Sequence, residues 1–392
     1  MYSLSNQSNE NRTGAEILRV DHERHVALLH YWLLTMRGGE RVFAELCGMF
    51  PGADVYTHAC NRARIVPEIT VHPIHESLIG HLPGGRRFCQ CCLPLMPFAQ
   101  KRWDFSGYSL IVSSESGPVK GIRKPSGCRH ICYCHTPMRY IWDMYDDYFR
   151  RASLPGRVAM RLFREPMRRY DLKSAECVDQ FVANSRFVAG RIRRIYGREA
   201  EVVYPPVDTV FFGSGQERER SFFLLAGQLT GYKRPDLVVR AFSRLNERLV
   251  VAGAGEELPR LRAMAGPNVE FVTAPDDEAL RDLYTGARAL IFPGIEDFGI
   301  VPVEAQAAGC PVIAFRGGGA LESVVEHKTG LFFDEPTPES LLEAVETFRG
   351  YRFDSEELRA NAARFSREQF RARMALVIRG DGGEGGSPRF PH

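Results

Sequence analysis

Residues 292–314 read F-P-G-I-E-D-F-G-I-V-P-V-E-A-Q-A-A-G-C-P-V-I-A, and this stretch predicts a passage from a strand through a loop into a helix. The apolar run 289–292 is typical of a short buried strand. Residues 302–308 predict the first turns of a helix, which Gly309 ends before another strand begins at Pro311. A helix that starts after a strand directs its free N–H groups and the positive end of its dipole at whatever lies above that strand.

Two glutamates flank that point, Glu296 in the loop and Glu304 near the start of the helix. Carboxylates accept hydrogen bonds from sugar hydroxyls, and a helix N-terminus suits a phosphate. The stretch therefore predicts a site for a ligand that carries both a sugar and a phosphate. The alternative is a solvated loop acid beside a glutamate that only stabilises the helix dipole.

The two glutamates, with F-G, P-V-E-A and G-C-P-V-I in register with them, resemble the donor-sugar motif of the family 4 (group 1) retaining glycosyltransferases. The resemblance covers roughly residues 24–376. It implies the GT-B fold, an α/β arrangement of two Rossmann-like domains that face each other across a cleft, with a C-terminal helix that crosses back to the N-terminal domain. It also implies a nucleotide-sugar donor bound mainly by the second domain and an acceptor bound mainly by the first.

Length and composition set limits on the class of protein. The chain has 392 residues, enough for two or three domains, and is 44% hydrophobic and 25% charged, as is usual for soluble globular proteins. A net charge of +3 does not point to nucleic acid, and we expect no nucleic-acid partner. No apolar run predicts a transmembrane helix, and residues 1–14 lack the apolar segment of a secretory signal. We therefore expect a cytoplasmic protein, either free or at the inner face of the cytoplasmic membrane.

Ten cysteines in a chain of this length do not indicate a disulfide scaffold. Cys89 and Cys92 form one C-x-x-C pair, but no second pair has the same spacing. Reduced thiols are therefore expected rather than a zinc site.

Strands alternate with helices along both halves of the chain, which is typical of βαβ units and parallel sheets. The sequence P-P-V-D at 205–208 marks a linker between the two halves. The expected parts are a disordered N-terminus at 1–20, an N-terminal Rossmann-like acceptor domain at 21–205, a C-terminal Rossmann-like nucleotide-sugar domain at 206–354, terminal helices packing back on the N-terminal domain at 355–378, and a disordered tail at 379–392.

Two predicted strand ends in the first half carry candidate ligand-binding residues. The strand 25–30 leads through a loop to Gly38 and Gly39 and then to a helix, an order that suits anion binding. The strand 129–134 ends in H-T-P-M-R-Y-I-W-D at 135–143, and such strand ends hold the ligand in open α/β sheets. The second run resembles the corresponding loop of a subgroup of family 4 enzymes, many of them mannosyltransferases of bacterial surface polysaccharide assembly.

Two other segments are basic as well as apolar. Residues 86–103 predict either a core helix broken by Pro94 and Pro97 or a patch that contacts lipid. Residues 150–173 place four arginines on one helical face, and Pro166 is expected to interrupt that helix. The arginine face is expected to be either solvated or in contact with anionic lipid or a diphosphate-linked acceptor.

The resemblance also implies roles for individual residues. The residues implied as catalytic are His135, Glu296 and Lys233. The residues implied to bind the donor are Gly38, Gly39, Gln228, Lys233, Arg234, Thr273, Ala274, Glu296, Phe298, Gly299, Ile300 and Glu304. The residues implied to bind the acceptor are Arg139, Tyr140, Trp142 and Asp143.

Within that set, Lys233 would neutralise the donor diphosphate, Glu304 would bind the ribose and Glu296 the transferred sugar. The family usually has an arginine five residues before this lysine, and the chain has Gln228 there. A glutamine donates hydrogen bonds but carries no charge, so Arg234 or Arg139 would have to supply the second cation.

These features predict a retaining hexosyltransferase that moves mannose from GDP-mannose to a lipid-linked or oligosaccharide acceptor in cell-surface polysaccharide biosynthesis. A polyprenyl-diphosphate-linked glycan and an anionic membrane are the expected partners. No D-x-D motif lies near the diphosphate loops, so neither an essential metal nor another cofactor is expected. The alternatives are a UDP-sugar donor, or a nucleotide-sugar epimerase on the same fold.

Overall fold

The computed structural model describes residues 25–216 and 218–380, which form two compact units. The first unit holds the described residues up to Asn184, then Val188–Val203, and those from Phe370 onward. The second unit holds Ser185–Phe187 and Tyr204–Gln369. The two tails expected to be disordered lie outside the described residues, apart from residues 379 and 380.

The boundaries of the two units agree only approximately with the expected domain boundaries. The chain enters the second unit at Tyr204, two residues before the expected start of that domain. Of the segment 355–378, which was expected to pack on the first domain, only the part from Phe370 belongs to the first unit. The helix Ser355–Ala363 packs instead on the helix Ile300–Ala307 of the second unit.

The first unit is built on a seven-stranded sheet in which all paired strands are parallel. Its strands are β1 Val26–His30, β2 Asp54–Thr57, β3 Ile74–Glu76, β4 Leu110–Glu115, β5 Arg129–Cys134, β6 Gln180–Ala183 and β7 Ala200–Val202. Their order is β3-β2-β1-β4-β5-β6-β7. The central strands β1 and β4 are buried along their whole length, as expected for a parallel sheet covered on both faces.

Short helices and one long helix surround this sheet. They are α1 Gly38–Met49, α2 Pro67–Thr70, α3 Leu78–His81, α4 Met96–Ala99, α5 Tyr145–Arg151, α6 Leu154–Ala175, α7 Arg186–Tyr196 and, at the end of the chain, the helix Arg367–Arg379. The segment 86–103 is not one helix, because 3₁₀ turns at Cys89–Leu95 and Gln100–Arg102 flank α4.

The expected interruption at Pro166 is wrong, because α6 runs without a break over 22 residues. A proline removes the N–H group that would bond the carbonyl four residues earlier, here that of Leu162. Both Leu162 and Pro166 lie on the exposed side of the helix, where water can satisfy that carbonyl. Buried Met167 and Asp171 hold the following turns in place.

The second unit is built on a six-stranded parallel sheet. Its strands are β8 Phe222–Ala226, β9 Leu249–Ala252, β10 Val269–Val272, β11 Ala287–Phe292, β12 Val312–Phe315 and β13 Gly330–Phe333. Their order is β10-β9-β8-β11-β12-β13. Its helices are α8 Thr209–Gly213, α9 Pro235–Phe242, α10 Leu258–Met264, α11 Asp277–Gly286, α12 Ile300–Ala307, α13 Ala320–Ser323, α14 Pro338–Phe348 and α15 Ser355–Ala363. The last helix of the chain, Arg367–Arg379, is named α16.

Helix α12 begins at Ile300, two residues before the predicted start at Pro302. Gly299 caps it with a φ of 83°, and a side chain there would collide with the Phe292 ring at 2.7 Å. Pro302 fits the first turn, because N–H groups at that position have no partner within the helix. Among the described residues, no helix is both long and apolar enough to cross a membrane.

Helix α16 completes the core of the first unit. Phe370 is 2% exposed and meets the ring of Tyr133 edge to face, and Met374 lies with it in the cluster that covers β1 and β4. The end of the chain is therefore part of the first unit's packing.

Replacing Phe370 with alanine should lower the free energy of unfolding by about 3–5 kcal/mol, because it leaves a cavity in this core. Leu376→Ala, at a partly exposed position of the same helix, should cost less than about 1 kcal/mol. Urea unfolding of both variants checks the difference. Equal small losses would show that α16 does not support the core.

Candidate functional site

The order of strands in the second unit brings two loops together. Strands β8 and β11 are parallel neighbours, and the loops that follow them carry Lys233 and Glu296. Connections run in opposite directions from this pair, to β9 on one side and β12 on the other, and such a switch point opens a ligand crevice at the carboxyl ends of the strands. There Lys233 Nζ lies 2.9 Å from Glu296 Oε1, and both side chains remain about one-fifth exposed.

Glycines let these loops approach each other backbone to backbone. A Cβ on Gly294 would lie 2.8 Å from Lys233 Cα, and one on Gly319 would lie 2.2 Å from Phe298 Cα. Gly319 also donates its N–H to the Glu296 carbonyl at 2.9 Å. The run G-G-G at 317–319 was given no role from the sequence, although three successive glycines signal such close contact.

Glu304 lies on the inner side of α12 and is only 6% exposed. The Tyr284 hydroxyl donates to its Oε2 at 3.0 Å, which fixes the carboxylate in the second turn of the helix, later than the sequence predicts. The ring of Phe298 is buried against Tyr204 and Phe365, so only its backbone can face a ligand. The two glutamates and the amino end of α12 thus belong to one edge of the sheet.

Strained backbone marks two of the predicted donor-binding residues. Arg234 and Ala274 have φ of 56° and 49°, and His327 is the remaining non-glycine residue in the left-handed region within 25–216 and 218–380. Such conformations cost about 1–3 kcal/mol and cluster at functional sites. The Arg234 side chain bonds Asp236 at 3.3 Å, while Thr273 receives a hydrogen bond from Arg262. Gln228 is exposed at the end of β8.

In the first unit, three polar side chains meet at the carboxyl ends of β1, β4 and β5. Ser114 Oγ lies 2.9 Å from His135 Nε2, and the rings of His30 and His135 are 6.4 Å apart. Desolvation, with the Arg139 charge acting in the same direction, lowers the pKa of His135 to about 4. His135 is therefore a neutral imidazole at physiological pH.

The Gly38–Gly39 turn lies directly over His135. A Cβ on Gly39 would lie 3.5 Å from His135 Nε2, so a larger side chain would fill the space above the imidazole. Glu40 in the first turn of α1 accepts the Arg37 N–H at 3.1 Å, and burial raises its pKa to about 7.

The sequence analysis missed His30 as a candidate. Its side chain is fully buried, neither ring nitrogen has a hydrogen-bond partner among the described residues, and burial lowers its pKa to about 3. Its Nε2 lies 3.9 Å from Glu40 Oε1. In the sequence, the signal that could have identified His30 is its position as the last residue of a strand that precedes a Gly-Gly turn.

The predicted acceptor-binding residues lie on the loop after β5, and contacts of Tyr140, Trp142 and Asp143 hold it within the first unit. The Tyr140 hydroxyl donates to Met138 Sδ at 3.0 Å, and the Trp142 indole donates to Asp171 Oδ2 at 2.7 Å. Asp143 accepts hydrogen bonds from Arg194 and pairs with Arg191 at 2.7 Å. These contacts hold the loop, and acceptor binding by its residues remains a prediction.

A buried ionic cluster lies next to this loop and is joined to it by the Trp142–Asp171 hydrogen bond. Lys120 Nζ lies 2.6 Å from Asp171 Oδ1 and 3.3 Å from Glu115 Oε1, and all three side chains are at most 1% exposed. Burial alone would lower the pKa of Lys120, but the two carboxylates raise it well above its usual value. Burial raises the pKa of Glu115. Asp171 also accepts from Tyr196 at 2.9 Å, so one carboxylate joins the loop to α7.

All ten cysteines are unpaired thiols. Within the part of the chain that the structure describes, no group of three or more His, Cys, Asp or Glu residues is placed to hold a metal ion.

Two family models match this chain. Residues 36–211 match the family described as Glycosyltransferase Family 4, and residues 207–369 match the family described as Glycosyl transferases group 1. The chain therefore contains a glycosyltransferase family 4 domain followed by a glycosyltransferase group 1 domain.

Two relatives agree with that assignment. D-inositol 3-phosphate glycosyltransferase of Kribbella flavida is 33% identical over 189 residues, which are 40% of this chain and 45% of that protein. The chain thus spans less than half of that relative. Human alpha-1,3/1,6-mannosyltransferase ALG2 is 26% identical over 318 residues, 68% of this chain and 71% of that protein.

Among solved structures, Anabaena Alr3699/HepE in complex with UDP-glucose matches with a TM-score of 0.66 at 15% identity and covers 91% of this chain and 99% of that chain. The predicted GT-B class is confirmed by this likeness and by the two parallel α/β sheets.

Replacing Lys120 with methionine should lower the free energy of unfolding by about 3–5 kcal/mol, because it leaves two buried carboxylates without a cation. The loss should shrink as the pH falls from about 8 to about 5, since the folded variant then takes up a proton that the unfolded chain, with ordinary carboxyl pKa values, does not hold. Urea unfolding at both pH values measures it.

Lys124→Met is the matched control, because Lys124 pairs with Asp179 in a partly exposed position. That loss should be at most about 1 kcal/mol. A K120M variant as stable as K124M would contradict the role of the buried cluster.

Proposed function

We propose that this chain transfers a glycosyl group from a nucleotide-sugar to a hydroxyl group of an acceptor. The observation that carries the proposal is the Lys233–Glu296 pair at the switch point of the second sheet, close in the chain to Glu304 and the amino end of α12. A nucleotide-sugar offers a matching set of groups: a diphosphate for the lysine and the helix N–H groups, and hydroxyls for the two carboxylates.

The ion pair has a direct consequence for catalysis. Glu296 pairs with Lys233, and the pair holds both side chains at the site. A diphosphate would take over the ammonium group and leave the carboxylate to accept hydroxyls of the sugar. The ammonium group would then be placed to stabilise the charge that develops on the leaving diphosphate.

We propose retention of configuration at the anomeric carbon. The bond from that carbon to the phosphate oxygen breaks, the bond to the acceptor oxygen forms on the same face, and the acceptor proton passes to the departing phosphate. The reaction needs no protein nucleophile, and none was evident in the sequence. In the first unit, the neutral His135 ring is suited to hydrogen bonding with a sugar hydroxyl, because its pKa is about 4.

GDP-mannose is the proposed donor. The run 135–143 resembles the loop of mannosyltransferases, and one relative is named as a mannosyltransferase. A UDP-sugar is the alternative donor, since the solved structure of Alr3699/HepE contains UDP-glucose. A nucleotide-sugar epimerase remains the alternative activity, and it would need no acceptor.

A polyprenyl-diphosphate-linked glycan is the proposed acceptor, in cell-surface polysaccharide biosynthesis at the inner face of the cytoplasmic membrane. The basic segments of the first unit support it, because they suit a diphosphate or an anionic membrane. We propose that no metal is essential, since Lys233, Arg234 and the amino end of α12 offer positive charge to the diphosphate.

Radiolabelled mannose should move from GDP-mannose to a lipid extract, and GDP-mannose should raise the melting temperature more than other nucleotide-sugars do. Transfer should persist in excess chelator. Labelling from a UDP-sugar alone would replace the proposed donor, and rescue of chelated enzyme by magnesium would overturn the metal-free proposal. Conversion of the donor to an epimer without any labelled acceptor would favour the epimerase.

Two single substitutions separate the roles of the ion pair. Lys233→Met should weaken binding of the nucleoside diphosphate about 10- to 100-fold, because a charge-assisted hydrogen bond contributes about 1.5–3 kcal/mol. Glu296→Gln should leave that affinity unchanged or tighter, since it removes the competing carboxylate, yet lower turnover about 100-fold. Calorimetry and steady-state rates measure both effects.

Lys328→Met serves as the control, because Lys328 is two-thirds exposed in the same unit and its partner Glu357 is 3.9 Å away. It should match the wild type in both assays. If Lys233→Met also matches the wild type, the donor site is not at this pair.

A further inference from the structure

Helix α6 buries Met167, Asp171, Ser174 and Ala175, and its arginines lie along the edge of that inner face. Arg164 lies over the Tyr145 ring at 3.7 Å, and Arg168 lies over the Trp142 ring at 4.7 Å. Arg157 and Arg161 approach the ring of Phe149 in the same way. The arginine stripe found in the sequence therefore packs on the aromatic residues that precede the helix. Arg157, Arg164 and Arg168 are half-buried in this way, whereas Arg161 is exposed.

The opposite face of the same helix exposes large apolar side chains. Leu154, Val158 and Leu162 follow one another at steps of four and are 76%, 58% and 67% exposed, and Phe163 beside them is 45% exposed. Residues at such spacing form one stripe along a helix. A contiguous exposed apolar stripe on a folded unit marks an interaction surface.

The charge around this stripe identifies its partner. Residues 150–173 contain eight Arg or Lys and two Asp or Glu, a difference of +6, whereas the whole chain carries only +3. Arg150, Arg161 and Arg169 are exposed there. A second copy of the chain would bring the same positive charge face to face across a symmetric contact. An anionic lipid surface complements both the apolar side chains and the charge.

A second segment of the first unit has the same character and is joined to α6. Phe88, Leu95 and Phe98 are 54%, 55% and 66% exposed, and residues 86–102 hold four Arg or Lys and no acid. The Gln100 side chain donates to the Tyr170 hydroxyl at 2.7 Å, which ties this segment to α6. The lipid-contact interpretation of residues 86–103 is thus compatible with the exposed rings.

We infer that the exposed face of α6 is a membrane-binding surface that lies in the interface of an anionic bilayer, with the segment 86–102 as a second point of contact. A helix that lies in the interface binds the membrane without spanning it. The inference deepens the proposed function, because a lipid-linked acceptor would be presented at such a surface. Its physical basis, exposed apolar side chains among basic ones, does not depend on which sugar is transferred.

Co-sedimentation with vesicles tests the surface. The full chain should bind vesicles of phosphatidylcholine mixed with phosphatidylglycerol and not vesicles of phosphatidylcholine alone, and added salt should weaken binding. The double variant L154Q/L162Q should lose about tenfold or more in affinity, since two apolar anchors are removed. Phe98→Gln should produce a smaller loss.

Val210→Gln is the control, because Val210 is 74% exposed but belongs to the second unit and to neither basic segment. It should bind as the wild type does, and thermal melting should show that all variants are folded. Unchanged binding by L154Q/L162Q would overturn the inference. So would self-association in solution that the same variant abolishes, because a second copy would then be the partner.

Sugar transfer to a water-soluble acceptor separates this inference from the proposed function. L154Q/L162Q should retain that transfer while losing vesicle binding. If the wild type binds vesicles but transfers no sugar from any donor, the proposed function fails and the membrane surface stands.

Discussion

The second unit depends on the parallel pairing of β8 with β11. That pairing places two loops from distant parts of the chain side by side and brings the Lys233 ammonium within 2.9 Å of Glu296. Gly294 permits this contact, because a side chain there would collide with the backbone of Lys233. A cation and a carboxylate are thereby held together close in the chain to the amino end of α12, which supports the proposed nucleotide-sugar site.

In the first unit, two groups of buried side chains differ in charge: the histidines are neutral, whereas Lys120 is charged. Around His30 and His135 burial keeps imidazoles neutral, because the charged forms would lose hydration that the site does not replace. Around Lys120 the charge is kept, because two carboxylates compensate the ammonium group and the indole of Trp142 satisfies a remaining oxygen. The loop that carries the candidate acceptor-binding residues is therefore anchored to the best-buried ionic cluster of the unit.

Helix α6 shows that a pattern of charged residues in the sequence does not indicate whether those residues are solvated or packed against other side chains. Four arginines on one face predict contact with water or lipid, yet the guanidinium groups of Arg164 and Arg168 lie over the rings of Tyr145 and Trp142. On the side of the helix away from its buried residues, Leu154, Val158 and Leu162 are exposed. The consequence is an exposed apolar surface among basic residues, whose partner follows from its charge.

The alternation of strands and helices, the α/β class and the stretch 292–314 with its two glutamates can be predicted from the sequence, because they depend on local periodicity and on residues close together in the chain. A family resemblance also points to Lys233 and His135. The Lys233–Glu296 pair, the burial of His30 and the Lys120 cluster become visible in the folded structure alone. Each depends on which strands become neighbours and which helix face turns inward, and local sequence does not encode either choice.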